Sequence, residues 1–228
     1  MRADVVVLVP VKSFDMAKGR LADSIGAEQR AVLARELAAT VIAAAEPLPT
    51  YVVCDNAEVG SWALSIGTGV LSVTAPGLNP SMTQALAAAA NDGYRRAIIS
   101  HADLPMARDL TWLAGADQHA DVVIVPDRHG TGTNVMSIPI EDRTGFTLRY
   151  GLNSALEHRR EAERIGWTVT VQPDDDLGWD LDTPEDLEAL NGNGRLNTLD
   201  KASSDRTADI LTAEILATQV DTTQVKEL

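Results

Sequence analysis

Short runs of β-branched and other apolar residues recur along the chain, separated by longer stretches rich in Ala and Leu. Residues 5–9 are continuously apolar, the pattern of a strand buried on both faces. Similar runs predict strands at 51–54, 70–73, 96–100, 121–125, 134–138 and 168–171. The stretches between them predict helices at 28–45, 59–65, 81–94, 108–118 and 154–165, and one more from Pro184 to about Leu190. Strands alternating with helices in this way give an α/β fold: a mixed, mostly parallel sheet with helices on both faces. Ligands of such sheets bind outside the carboxyl ends of the strands, so the residues following each strand carry the functional reading.

The texture changes after residue 190. NGNGRLNTLDKASSDRT has no core pattern, and the last stretch returns to Ile and Leu at helical spacing. The expected organisation is one domain over residues 1–190 and a C-terminal tail over 191–228, flexible or docked on a partner.

Composition narrows the function. The formal net charge of −14 argues against a nucleic-acid partner, which requires a basic surface. No apolar run reaches the roughly 20 residues of a membrane helix, so no membrane partner is expected. A single cysteine, Cys54, excludes a disulfide framework and a cysteine-based zinc site, and the cytoplasm is the expected compartment. Lysine is confined to Lys12, Lys18, Lys201 and Lys226. Two of these lie in PVKSFDMAKGRL with Arg20, directly after the first strand. This is not a Walker A loop, for it lacks the glycine pattern and the GK[ST] ending. Its cations suit a triphosphate and the charge that develops on a pyrophosphate leaving group.

Two acidic elements stand at other strand ends. Asp103, in IISHADLPM, precedes Leu-Pro, and a carboxylate there suits Mg²⁺; the competing reading is a cap for the helix from Arg108. In LGWDLDTPEDLEAL, Asp180 and Asp182 alternate along an extended segment and share one side. Thr183-Pro184-Glu185-Asp186 is a helix start and needs no functional reading. A glycine- and hydroxyl-rich stretch, DRHGTGTN, interrupts two apolar runs at 127–134. Backbone N–H groups of such a loop can bind an anion without net positive charge, with Thr133 adding a hydroxyl donor. Ser154 opens a helix whose first amides also favour an anion.

Taken together, the order and spacing of Lys12…Lys18…Arg20-Leu21, Gly77-Leu78-Asn79, Ala102-Asp103-Leu104-Pro105, DRHGTGTN, Tyr150-Gly151-Leu152-Asn153-Ser154 and Asp180-Leu181-Asp182-Thr183-Pro184 resemble the guanylyltransferases of coenzyme F420 biosynthesis over about residues 4–190. The resemblance implies a Rossmann-like, GT-A-like nucleotidyltransferase fold with Mg²⁺ as cofactor. The implied substrates are GTP and a small phosphorylated carboxylic acid: phosphoenolpyruvate, 2-phospho-L-lactate or 3-phosphoglycerate. Few lysines amid much Ala and Arg tilt the choice toward phosphoenolpyruvate. It further implies Lys12, Lys18 and Arg20 as catalytic cations, and Lys12, Gly77, Leu78, Asn79 and Asp103 as the nucleotide site. Thr133, Asn134, Gly151 and Ser154 would hold the acceptor, and Asp103 and Asp182, with Asp180 as the alternative, the metal. A homodimer, and handover of product to the next deazaflavin-pathway transferase, are further expectations. Two other readings stay open: a nucleotidyltransferase making a CDP- or UDP-linked alcohol or sugar, and a non-catalytic nucleotide-binding protein.

Overall fold

A computed structural model describes residues 4–118, 120–140 and 145–192. Of the tail expected at 191–228, residues 193–228 lie outside these, as does the connection at 141–144; residues 191 and 192 end the last helix. In chain order the elements are β1 (Val5–Pro10), α1 (Ala27–Ala44), β2 (Thr50–Cys54), α2 (Ala57–Ser65), β3 (Gly69–Ser72), α3 (Leu78–Asn91), β4 (Arg96–Ser100), β5 (Val122–Pro126), β6 (Thr133–Pro139), α4 (Ser154–Arg164), β7 (Val169–Val171) and α5 (Pro184–Gly192). The chain divides into two compact units, residues 1–13 with 37–181, and residues 14–36 with 182–228.

The first unit holds a seven-stranded sheet in the order β3-β2-β1-β4-β6-β5-β7. All neighbours are parallel except β6, which runs antiparallel to both β4 and β5. The β-branched runs form its centre because strands covered on both faces have no polar side to present. Alternate residues therefore enter two cores. Val6, Leu8, Ile99, Ile124 and Met136 join Met82 and Ala85 of α3 and Ala155 and Ala162 of α4. Each large aliphatic side chain buried this way contributes roughly 1.5–3 kcal/mol. On the opposite face Ser137 donates to the Leu113 carbonyl at 3.0 Å, and the Leu110 N–H donates to Ala44 at 2.8 Å.

One expected helix differs in kind. Residues 108–118 read as an α-helix, but Thr111–Gln118 winds as 3₁₀ turns. Asp109 opens it by accepting from the Thr111 N–H at 2.7 Å and the Thr111 hydroxyl at 2.6 Å. Short polar side chains that bond their own backbone favour such tight turns over a full helix.

In the second unit, Asp186 caps the start of α5 by accepting from the N–H groups of Asp182 at 2.9 Å and Thr183 at 2.7 Å. The Asp186 N–H returns a bond to the Thr183 hydroxyl at 3.3 Å, closing a capping box with aspartate in the acidic position. In the same unit the Arg35 guanidinium lies 4.6 Å over the Phe14 ring.

Candidate active site

The antiparallel strand decides what the ligand edge of the first unit contains. Because β6 begins where β4 ends, with Val135 opposite Ser100, its first residues stand beside the carboxyl ends of its neighbours. Thr133 and Asn134 thus reach the edge where ligands of such sheets bind. The β5–β6 register slips between Val125 and Pro126, a bulge that leaves Asn134 opposite no β5 residue. The Asn134 carbonyl accepts from the His101 N–H at 2.9 Å, and its side-chain amide donates to the Leu177 carbonyl at 2.9 Å.

These bonds begin a seam that fixes residues 177–181. After Leu177, the Trp179 ring carries the Arg128 guanidinium 4.3 Å from its centroid. The Leu181 N–H then donates to the Asp103 carbonyl at 3.0 Å. In the chain, Asp180 stands between these two contacts, one residue before the bond to Asp103. The segment that follows Asp103 is opened by Asp109, which accepts from the Thr111 N–H and hydroxyl.

The connection from β5 to β6 departs from the anion-cradle expectation. Its backbone amides are already occupied, by Asp127. The Asp127 carboxylate accepts from the N–H groups of His129 at 3.1 Å, Thr131 at 2.8 Å and Gly132 at 2.8 Å, and from the Thr131 hydroxyl at 3.0 Å. The Gly130 N–H goes to the Asp127 carbonyl at 2.9 Å. Burial alone would raise the Asp127 carboxyl, but these bonds together hold it below the usual range. A Cβ on Gly132 would stand 2.7 Å from an Asp127 oxygen, so glycine there permits the carboxylate its approach. The loop carries its own anion, and the amides of residues 129–132 are not a phosphate cradle in this structure.

The remaining residues expected at the acceptor lie in side chains and in the neighbouring turn. The Ala155 N–H donates to the Thr131 carbonyl at 3.1 Å, bringing the first turn of α4 against the loop. Ser154 and Thr133 are both buried, at 3% and 1% exposure. Gly151 is exposed at φ 139, and Asn153 before the helix is left-handed at φ 55. One turn into α4, His158 is wholly buried, with its Nδ1 3.0 Å from the Thr133 hydroxyl and its Nε2 accepting from the Arg149 N–H at 2.8 Å. Sequence reasoning missed it, for EHRREAER reads as a solvated helix. Burial, with the nearby His101 and Arg149 and against the Glu161 charge, pushes His158 down to about 4.

Asn79, expected to touch the nucleotide, fastens α3 to the Tyr150 turn. Its amide donates to the Tyr150 carbonyl at 2.9 Å, and its oxygen accepts from the Tyr150 N–H at 2.8 Å. One amide hydrogen and one lone pair remain for a ligand. Gly77, at φ 87, begins α3 with Leu78 as its first residue, and the turn before it is tied to the helix by Gln84 and Ser81. Lys12 is exposed just beyond β1. The Tyr150 ring lies 4.7 Å from the His158 ring and 5.5 Å from the His101 ring.

The second unit gathers three more of the expected residues. Lys18, at φ 53, is left-handed, and its ammonium lies 3.1 Å from Asp182. Arg20 lies 3.5 Å from the other Asp182 oxygen. The metal residues therefore divide: Asp103 and Asp180 belong to the first unit, Asp182 to the second, paired with two cations. Among the described residues no three His, Cys, Asp or Glu side chains group into a metal cage. Hard carboxylate oxygens at a strand end nonetheless fit Mg²⁺, which is held by one or two carboxylates together with substrate phosphates.

The chain resembles known proteins in both sequence and fold. The chain is 34% identical over 192 residues to a phosphoenolpyruvate guanylyltransferase of Conexibacter woesei, covering 80% of this chain and 85% of that protein. It is 31% identical over 194 residues to a 2-phospho-L-lactate guanylyltransferase of Methanothermobacter thermautotrophicus, covering 82% and 85%. Among solved structures, a protein of Desulfovibrio desulfuricans G20 described as a nucleotide-diphospho-sugar transferase shares the fold at TM-score 0.75 and 19% identity, over 94% of this chain and 99% of that one. A cytidylyltransferase of Leptospira borgpetersenii does so at TM-score 0.58 and 14% identity, over 100% and 98%. The profile of the family described as guanylyl transferase CofC like matches residues 5–199, and the chain belongs to that family of nucleotidyltransferases.

Proposed function

We propose that the chain transfers GMP from GTP to a small phosphorylated carboxylic acid, phosphoenolpyruvate foremost and 2-phospho-L-lactate second, releasing pyrophosphate in coenzyme F420 biosynthesis. The observation that carries this reading is the junction of β6 with α4. The Ala155–Thr131 bond at 3.1 Å and the Thr133–His158 contact at 3.0 Å put two buried hydroxyls, of Thr133 and Ser154, on adjoining segments at the ligand edge. Hydroxyls and helix-start amides suit a phosphate or carboxylate held without lysine. The names of the relatives favour the two acids in that order.

The acceptor phosphate oxygen forms the new bond to the α-phosphorus. The bond from that phosphorus to the bridging oxygen breaks, and its electron pair leaves with pyrophosphate. A phosphate dianion is nucleophilic at neutral pH and needs no general base, so catalysis is positioning and charge neutralisation. Lys12, Lys18 and Arg20 supply cations for the triphosphate and the leaving group. Asp103, with Asp180 or Asp182, would hold Mg²⁺, which when bound neutralises phosphate charge. Gly77, Leu78 and Asn79 would contact the base.

The test is pyrophosphate release with each nucleoside triphosphate against each acid, with and without Mg²⁺. Turnover is expected for GTP with phosphoenolpyruvate and loss of turnover on chelation. Asp103→Asn is expected to lower kcat at least about 100-fold, on the scale of losing one electrostatic group from a phosphoryl-transfer site. Turnover with CTP or UTP and a hydroxyl acceptor, or GTP binding without release, overturns the reading.

A further inference from the structure

We propose that His158 is a positioning residue for acceptor binding: through a fixed tautomer it leaves the Thr133 hydroxyl to act as a hydrogen-bond donor to the acceptor. The inference rests on the reading of Thr133 as an acceptor contact. It follows from where three hydrogens must lie. The Arg149 N–H points at His158 Nε2 at 2.8 Å, and an N–H can only donate, so Nε2 presents a lone pair. A neutral imidazole with a bare Nε2 carries its hydrogen on Nδ1. Nδ1 faces Thr133 Oγ1 at 3.0 Å, so the imidazole donates and the threonine oxygen accepts. The Thr133 proton is thereby excluded from the side facing His158 and is left to donate to another group.

The surroundings hold this arrangement in place. His158 is wholly buried and Thr133 is 1% exposed, so water does not compete for the bond between them. Phe146 stacks on the imidazole with ring centroids 6.2 Å apart, and Tyr150 meets it edge-on at 4.7 Å. Tyr150 is in turn held by both of its backbone bonds to Asn79. Burial keeps the ring neutral, and the neutral ring is the form in which one nitrogen must accept. An anionic acceptor gains most from a donor whose direction is set beforehand, because no hydroxyl rotor is frozen on binding.

Two measurements test it. The first is the ¹⁵N spectrum of the imidazoles in the wild-type protein at pH 7, with the His158 signals assigned by their loss in His158→Asn. A neutral ring protonated on Nδ1 is expected; an Nε2-protonated ring or an imidazolium overturns the proposal. The second is a double-mutant cycle of Thr133→Val and His158→Phe, reading KM for the acid, KM for GTP and kcat separately. Thr133→Val is expected to raise KM for the acid about tenfold, the scale of one hydrogen bond to a charged group, with KM for GTP unchanged. His158→Phe is expected to do much the same, with the double variant no worse than either single one. His158→Asn, whose amide can still donate to Thr133, is expected to recover most of the loss. Independent, multiplying effects, or a normal KM for the acid in His158→Phe alone, overturn the positioning role. A normal KM in Thr133→Val instead overturns the acceptor-site reading on which the role depends. If His158→Phe does not fold, the tautomer and the His158→Asn kinetics decide.

Discussion

Replacing Asp127 by alanine removes the internal anion from the β5–β6 loop, and the size of the effect follows from its four donors. The Gly132 N–H is partly buried, and losing a charged partner there costs about 1–1.5 kcal/mol. The His129 N–H and the Thr131 N–H and hydroxyl belong to exposed residues, where water takes over and each loss is about 0.3–0.5 kcal/mol. The expected total is about 2–3 kcal/mol, a fall in Tm of about 4–12 °C for a chain of this length. Urea denaturation followed by circular dichroism measures the first figure, and a thermal melt the second. Asp127→Asn keeps one acceptor oxygen but turns an N–H₂ toward donors, so it recovers at most half. Because Thr133 follows directly on the loop, KM for the acid is also expected to rise in both variants while KM for GTP stays fixed. An Asp127→Ala protein within 0.5 kcal/mol of wild type, with ordinary kinetics, would refute the view that this carboxylate organises the loop.

Acid sensitivity and the Tyr150 clamp give two further expectations. The His158 imidazole takes its proton near 6.5 when unfolded but only at about 4 when folded, so stability is complete above pH 6.5 and falls as pH drops toward 4. At about 1.4 kcal/mol per pH unit the loss reaches about 3 kcal/mol, and His158→Phe is expected to flatten that part of the urea-midpoint profile. Glu161, which accepts from Arg164 and from the Thr147 N–H, is lowered to about 2, so its contribution is present above 4.5 and disappears only as pH falls through 2. Asn79→Ala frees both Tyr150 backbone groups and is expected to cost about 1–2 kcal/mol in a thermal melt; an unchanged Tm would show that the turn is held by other contacts.

The strands were legible because unbroken β-branched runs have few other homes in an α/β chain. The direction of β6 was not, since a strand buried on both faces looks the same read either way. The helix start at Pro184 was legible to the residue, because Thr183 and Asp186 have a local task that sequence spacing states outright. Asp127 was visible as a charge near glycines, yet nothing in DRHGTGTN says that the charge turns back onto its own loop. His158 was hidden for a related reason: six charged residues between Glu157 and Arg164 mark the helix as solvated, and His158, buried beside Ala155 and Ala162, carries no apolar signature. The seam from Leu177 to Leu181 joins residues far apart in the chain, and no local pattern encodes it.

The antiparallel placement of β6 also bears on how the sheet is assembled. β5 and β6 are joined by only six residues, 127–132, so their pairing closes a short loop at small entropic cost. The parallel ladders on β1 must instead wait for β2 and β4 to arrive from much further along the chain. A hairpin that forms early and joins β4 as a unit would arrive with Asp127 already bonded and Thr133 already in register. On that route this edge of the sheet is prepared before the parallel strands beside it are in place, and folding-rate changes from substitutions at 127–133 would report it.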